Sequence, residues 1–272
     1  VGAATLLTAR RRRRRVLRDL YAVAGAGLTV GLAWRLAAPE GGIPALLADH
    51  RTGPGESATI DLPDGSMLRL NTRTAVDVAF DASRRLVSLR EGEILVETAR
   101  ARAAGTETST QTLTATREDP RPFLIDTPQG RIHALGTRLA IRSIGTRTIC
   151  AVLQDAVDAY PLRQPGSVTR LSAGRQVTFT QDVMGTPQPA DPVYADWVSG
   201  VLVVNGWRLE EVVQELARYR RGRLACDPAI ADIRISGALP ISDTDKALAV
   251  IARAFPVRIV RRTRYWVSVV PA

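Results

Sequence analysis

"ATIDLPDGSMLRLNT", residues 58–72, alternates apolar and polar side chains on both sides of a Pro-Asp-Gly-Ser turn. Ile60 and Leu62 share one face before the turn, and Leu68 and Leu70 share it afterwards. Alternation with a period of two marks a strand with one buried face, and Asp-Gly supplies the positive φ of a tight turn. The stretch therefore predicts a β-hairpin whose turn is shaped by Gly65 and whose apolar face belongs to a core. None of its side chains is chemically reactive, so the hairpin reads as scaffold.

The same period recurs downstream. Val76, Val78 and Phe80 alternate, then Leu86, Val87 and Leu89, then Ile94 and Val96, with turn residues between the groups. Further strands are expected at 122–126, 131–135, 138–142, 148–153, 157–160 and 176–179. So many short strands without helices between them predict an all-β domain over residues 53–180, sandwich-like or solenoidal. Residues 99–118, rich in Thr, Ala and Arg and without a period, read as a loop inserted in a hairpin. Residues 181–196, with Gly-Thr-Pro-Gln-Pro-Ala-Asp at 185–191, read as a linker.

After Trp197 the period changes. Leu209, Val212, Val213, Leu216 and Ala217 follow the spacing of an amphipathic helix, and a second helix starts at Ser242, whose hydroxyl can cap it. Strands at 201–204, 223–226, 233–237, 257–260 and 266–269 bracket both helices. Residues 197–272 thus predict a small α+β domain of β-α-β-β-α-β order. Its expected free edges are Val201–Val204 and Trp266–Val269. Arg258, Arg261, Arg262 and Arg264 stand where they could orient an acidic partner strand, or simply keep an edge soluble.

The net charge of +10 is unevenly spread. Residues 1–19 hold seven Arg and one Asp, whereas residues 20–196 are close to neutral. Next to the Arg run, Leu20 to Trp34 carries no charge, and with Arg35 snorkelling the span reaches Ala38. Nineteen residues at about 1.5 Å each cover a bilayer's hydrocarbon core. The basic stub 1–19 predicts a cytoplasmic N-terminus, a single transmembrane helix at 20–38, a linker at 39–52 and a periplasmic bulk. A cleaved signal peptide is the rival, but Leu36-Ala37-Ala38 offers no small-x-small site. The Arg excess is explained by topology, so no direct nucleic-acid contact is expected.

Residue types exclude several chemistries. The chain has two histidines, His50 and His133, no His/Cys cluster for a metal, no Ser-His-Asp set and no phosphate-binding loop. Neither metal nor cofactor is expected. Cys150 and Cys226 each lie in an apolar strand-like run and read as two buried thiols.

Taken in order, "GESATIDLPDGSMLRLNT" (55–72), "REGEILVE" (90–97), "RPFLIDTPQGRIHALGTRLAIR" (121–142) and "LSAGRQVTF" (171–179) resemble the FecR-type transmembrane regulators of sigma factors. "WVSGVLVVNGWRLEEVVQELARYRRGRL" (197–224) and "ISGALPISDTDKALAVIARAF" (235–255) resemble the secretin/TonB N-terminal domain that ends many of them. The resemblance runs from about Gly53 to the C-terminus. It implies a single-pass protein of the bacterial inner membrane. Such a protein takes a periplasmic signal from a TonB-dependent outer-membrane receptor, often for iron-siderophore uptake, and controls an extracytoplasmic-function sigma factor. The family contacts that sigma factor through a cytoplasmic domain ahead of the anchor, where this sequence has Val1–Asp19. A periplasmic scaffold or secretin-associated protein without sigma-factor control is the alternative. The resemblance further implies self-cleavage within Gly136-Thr137, the Thr137 hydroxyl attacking the Gly136 carbonyl, with His133 as the nearest candidate base. No other enzymatic activity is expected.

Overall fold

The computed structural model describes residues 48–99, 119–191 and 193–272. The expected stub, the transmembrane span, the linker up to residue 47 and the loop from residue 100 to 118 lie outside the described residues. Among the described residues no helix is long and apolar enough to cross a membrane. From Leu47 onward the chain forms one compact unit.

Among the described residues its first half holds thirteen strands. They are β1 (His50–Arg51), β2 (Ala58–Asp61), β3 (Met67–Leu70), β4 (Ala75–Phe80), β5 (Arg85–Glu97), β6 (Phe123–Thr127), β7 (Gly130–Ala134), β8 (Arg138–Ile144), β9 (Arg147–Gln154), β10 (Ala156–Pro161), β11 (Thr169–Ser172), β12 (Arg175–Phe179) and β13 (Gln188–Pro189). The hairpin stands as expected, with Ile60 opposite Leu68, Ala58 opposite Leu70, and Gly65 at φ +82°.

Strand β5 belongs to two sheets. Its first part pairs with β4 and, in parallel, with β6, and that sheet continues through β7, β10 and β11. Its second part pairs with β3 and β8, and that sheet continues through β9, β12 and β13. Val87, Leu89, Ile125, Ile132 and Val157 of the first sheet share one core with Ile94, Val96, Leu139, Ile141, Cys150 and Phe179 of the second. The arrangement is a mostly β, sandwich-like domain whose strands hydrogen-bond continuously through β5 around one core. The expected break before Ile94 is a bend inside a single strand. Gly92, at φ +93°, turns β5 from one sheet into the other. A side chain there would meet the Thr74 Cα at 2.5 Å and the Arg73 carbonyl oxygen at 2.6 Å.

Towards the C-terminus, Pro-rich residues 185–191 contribute β13, paired with Arg175 and Gln176. The second half then comprises α1 (Val193–Asp196), β14 (Val201–Arg208), α2 (Leu209–Arg218), β15 (Arg223–Cys226), β16 (Arg234–Pro240), α3 (Thr244–Ala254), β17 (Val257–Thr263) and β18 (Trp266–Pro271). From β14 on, all five expected strands are present, and the order is β-α-β-β-α-β-β, in which β18 follows the expected β-α-β-β-α-β. Its strands form two sheets, β14–β16 and β15–β18–β17. Trp266–Val269 is therefore not an edge. It lies in the central β18, parallel to β15 and antiparallel to β17. The cap of α3 is Asp243, whose carboxylate accepts the N–H groups of Asp245 and Lys246 at 3.1 Å, and not Ser242. Both thiols are free, Cys150 in the sandwich core and Cys226 half-buried.

The two halves meet on the outer face of the second sheet. Alternation that sends Ile94, Ile141 and Cys150 inward sends Leu95, Ala140 and Ala151 outward, and these pack with Leu209, Val212, Leu216 and Trp197. Beside them runs a buried polar seam. Arg218 Nη2 donates to Glu93 Oε2 at 2.8 Å, Arg218 Nη1 donates to Glu215, and Arg142 Nη2 donates to Glu215 Oε2 at 2.7 Å. Asn71 Nδ2 reaches Glu93 Oε2 at 2.9 Å and the Tyr219 hydroxyl at 2.8 Å. The Glu93 side chain is 2% exposed and that of Arg218 19%. Burial alone would raise the Glu215 pKa, but the Arg218 and Arg142 guanidiniums outweigh it and hold the carboxyl below its ordinary value.

Three outcomes follow from this construction. Gly92→Ala should lower stability by about 3 kcal/mol, read from denaturant midpoints, since it adds a clash to an unfavourable φ. Arg218→Met leaves two buried carboxylates short of a cation, and should lower stability by about 3–5 kcal/mol, a melting point lower by roughly 10 °C. A depressed carboxyl pKa stabilises the fold above the unfolded value and loses that contribution as pH falls through the folded one. The melting point should therefore fall from about pH 5 towards pH 3, and less steeply in Glu215→Gln.

Candidate functional site

Gly136 and Thr137 lie in the short connection between β7 and β8. Gly136 has φ +91°, a left-handed backbone open to glycine and strained for other residues. Thr137 is fully buried. Its carbonyl oxygen accepts the Thr98 N–H at 3.0 Å and the Thr98 hydroxyl at 3.2 Å, which ties the connection to the end of β5. Arg138, the next residue, forms an ion pair with Glu97 at 3.1 Å. The Thr137 Oγ1 has no hydrogen-bond partner among the described residues. A buried hydroxyl without a partner is uncommon, because the lost hydration is not replaced.

His133 is not brought to this hydroxyl. Alternation along β7 buries Ile132 and Ala134 and turns His133 to the outer face of the first sheet. There it lines a cavity of about 520 Å³ with Leu124, Asp126, Arg131, Tyr160 and Leu162. The register sets Leu124 and Asp158 on either side of His133, and Asp126 and Tyr160 on either side of Arg131. The Arg170 guanidinium, held by two bonds of 2.8 and 2.9 Å, keeps the Asp158 carboxyl below its ordinary range.

The four candidate arginines sit on β17 and the turn that follows it, with unequal environments. Among the described residues strand β17 is an outer strand of its sheet, paired with β18. Arg258 Nε donates to the Pro271 carbonyl at 3.1 Å, and Arg261 reaches Asp245 at 3.2 Å. Arg262 stacks over the half-exposed Trp266 ring at 4.9 Å, and Arg264 over the Tyr265 ring at 4.6 Å. Such stacking holds a cation in place while leaving its donors open to another chain. Strand β14 also has an open side in its two-stranded sheet, and there Val201–Val204 carries no charge. Buried Leu202 and Val204 alternate with outward Val201 and Val203.

No group of His, Cys, Asp and Glu among the described residues is arranged to hold a metal ion. The Cys150 thiol, pushed up to about 12 by burial alone, is not a nucleophile near neutral pH. Sequence reasoning did not identify Asn71, Arg73, Glu93, Arg142, Glu215 or Arg218 as interacting residues. One signal was available: the apolar outward positions Leu95, Ala140 and Ala151 mark a sheet covered on both faces.

Residues 48–158 match the family model described as FecR protein. No curated protein matches the chain. Two solved structures of a proposed anti-sigma factor from Parabacteroides distasonis, at 2.50 and 1.65 Å resolution, share its fold. Each is 21% identical, with a TM-score of 0.62 over 82% of this chain and 98% of the other. That coverage takes in both halves of the compact unit. The family match runs from the start of the sandwich into β10, through the hairpin, the bend at Gly92 and the Gly136-Thr137 connection, so that over those residues the chain carries a FecR-type domain.

Proposed function

We propose that this protein is a membrane-anchored regulator of an extracytoplasmic-function sigma factor. In this reading residues 20–38 cross the inner membrane, the N-terminus is cytoplasmic and the sandwich and α+β domain are periplasmic. The signal comes from a TonB-dependent outer-membrane receptor, of the iron-siderophore kind, and the sigma factor is contacted on the cytoplasmic side. The FecR match over residues 48–158 is the observation that carries the reading, and the anti-sigma description of the structural neighbour supports it. The surfaces on offer are strand edges and arginine side chains, which suit recognition of another protein.

Receptor contact belongs on the α+β domain in this proposal. A partner strand can add to the open side of β14, or to β17, where Arg262 and Arg264 would meet acidic side chains. Deleting residues 197–272 would uncover Leu95, Ala140 and Ala151 and strand Glu93 and Arg142, so surface variants are the better probe.

Self-processing is the one chemical step proposed. The Thr137 hydroxyl oxygen adds to the Gly136 carbonyl carbon, the C–N bond breaks, and the hydroxyl proton passes to the nitrogen, leaving an ester and a free amine. Water then opens the ester, giving a Gly136 carboxylate and restoring the hydroxyl. The left-handed Gly136 and the unpartnered Thr137 hydroxyl flank the same peptide bond, which is the geometric support for this step. His133, on the outer face, takes no part.

Alkaline phosphatase joined after residue 47 should be active in cells, and inactivity there would remove the proposed topology. Purified full-length protein should run as two fragments on a denaturing gel, Thr137→Ala as one, and Thr137→Ser as a mixture. An intact wild-type band, or an Ala variant cut as before, would exclude self-processing. A reporter driven by the extracytoplasmic-function sigma factors of the cell should change when the chain is removed. It should also respond less to the receptor's ligand when Arg262 and Arg264 are both Glu. A reporter indifferent to removal of the chain would favour the envelope-scaffold reading instead.

A further inference from the structure

We infer that the turn Asn71–Thr74 is a latch that holds the α+β domain on the sandwich and can release it as a unit. The inference rests on the reading of that domain as the signal receiver.

The latch grips the C-terminal end of α2. Helix ends leave carbonyl oxygens without helical partners, and these attract donors and positive charge. Here the donors come from the other half of the molecule. Thr72 Oγ1 and Arg73 Nε both donate to the Arg218 carbonyl at 3.1 Å, and Arg73 Nη2 donates to the Arg220 carbonyl at 3.1 Å. One step deeper, Asn71 joins Glu93 to Tyr219, and Glu93 holds Arg218. Apart from the Asn71–Glu93 bond, which stays within the sandwich, each of these bonds ends on Arg218, Tyr219 or Arg220, so one displacement of that helix end breaks them together.

Two features distinguish a latch from a permanent bond. Arg73 has φ +52°, a left-handed backbone that a side chain disfavours, and it is held there while the domains are docked. The contact is also strongly polar. The sandwich contributes Leu95, Ala140 and Ala151 as buried apolar partners, while Glu93, Arg142, Glu215 and Arg218 supply buried charge. Buried ion pairs fix geometry more than they add affinity, so such a seam specifies the closed state without making it irreversible. Helix α2 also packs on β14, one of the two strands proposed to take a partner strand. A partner that shifts β14 would therefore act on the gripped helix end.

Arg73 is exposed, which permits a test without loss of the fold. Amide hydrogen exchange would be followed on the full-length chain in detergent, comparing wild type with Arg73→Ala and Arg73→Lys. In Arg73→Ala, exchange over residues 212–220 should rise by about tenfold or more, the scale of a lost charged hydrogen bond. Strands β6, β7 and β10, in the sheet away from the seam, should keep their wild-type protection, and Arg73→Lys should fall between. An equal rise in both halves would mean that they part only on global unfolding, and no rise would mean that Arg73 holds nothing; either result overturns the latch. The measurement involves no receptor or sigma factor, so its failure leaves the regulatory reading standing, and failure of the reporter assay leaves the latch standing.

Discussion

Glu93 is a carboxylate buried at the outer face of a sheet, and much of the chain's architecture follows from satisfying it. Its Oε2 is reached by both Asn71 and Arg218, two residues separated by most of the described chain. Its N–H and C=O are taken by the Thr74 hydroxyl, at 3.0 and 3.1 Å. A carboxylate so placed needs a cation, and the cation comes from a helix of the other half. The two halves are thus coupled through a charge that neither could bury alone.

The same turn explains the bend at Gly92. Asn71 to Thr74 can lie against β5 only because Gly92 has no side chain, and Gly92 lets β5 leave one sheet and enter the other. A strand crossing between sheets brings its outward residues, Glu93 and Leu95, under the α+β domain, and its inward ones, Ile94 and Val96, into the sandwich core. Sheet crossing, turn seating and docking of the two halves therefore converge on two consecutive residues of the "REGEILVE" stretch, Gly92 and Glu93.

Much of the fold was legible because its rules are local. The hairpin at 58–72, the strands from β6 to β10 and the helix α2 announce themselves through a period of two or of 3.6. What was not legible depends on distant partners. Glu91-Gly92 looks like a turn from sequence, since nothing local says that the chain continues straight into a second sheet. Trp266 opens a strand that looked like an edge, because the parallel pairing of β18 with β15 joins segments about forty residues apart. Strand β11 is too short and too exposed to show a period. At the candidate site, the glycine of Gly136-Thr137 was readable as a residue suited to unusual backbone, but the burial of the hydroxyl was not. The side of β7 that His133 takes emerges only from the sheet's register. For the arginines the sequence supplied the cluster, and the structure divided it into engaged residues, Arg258 and Arg261, and stacked ones, Arg262 and Arg264.

The connection holding Gly136-Thr137 and the seam touch the same strand. Strand β8 begins at Arg138, directly after Thr137, and four residues later Arg142 enters the buried charge network through Glu215. Strand β5 runs beside it in antiparallel register, Glu97 against Arg138 and Glu93 against Arg142. The two strands thus share both ends: Thr98 and Glu97 hold the residues around the Gly136-Thr137 peptide bond, and Glu93 holds Arg218. One antiparallel two-strand ladder carries the seam between the halves at one end and the left-handed Gly136 connection at the other. The fold therefore places a left-handed Gly136 and a buried Thr137 at the far end of the strands on which the α+β domain is seated.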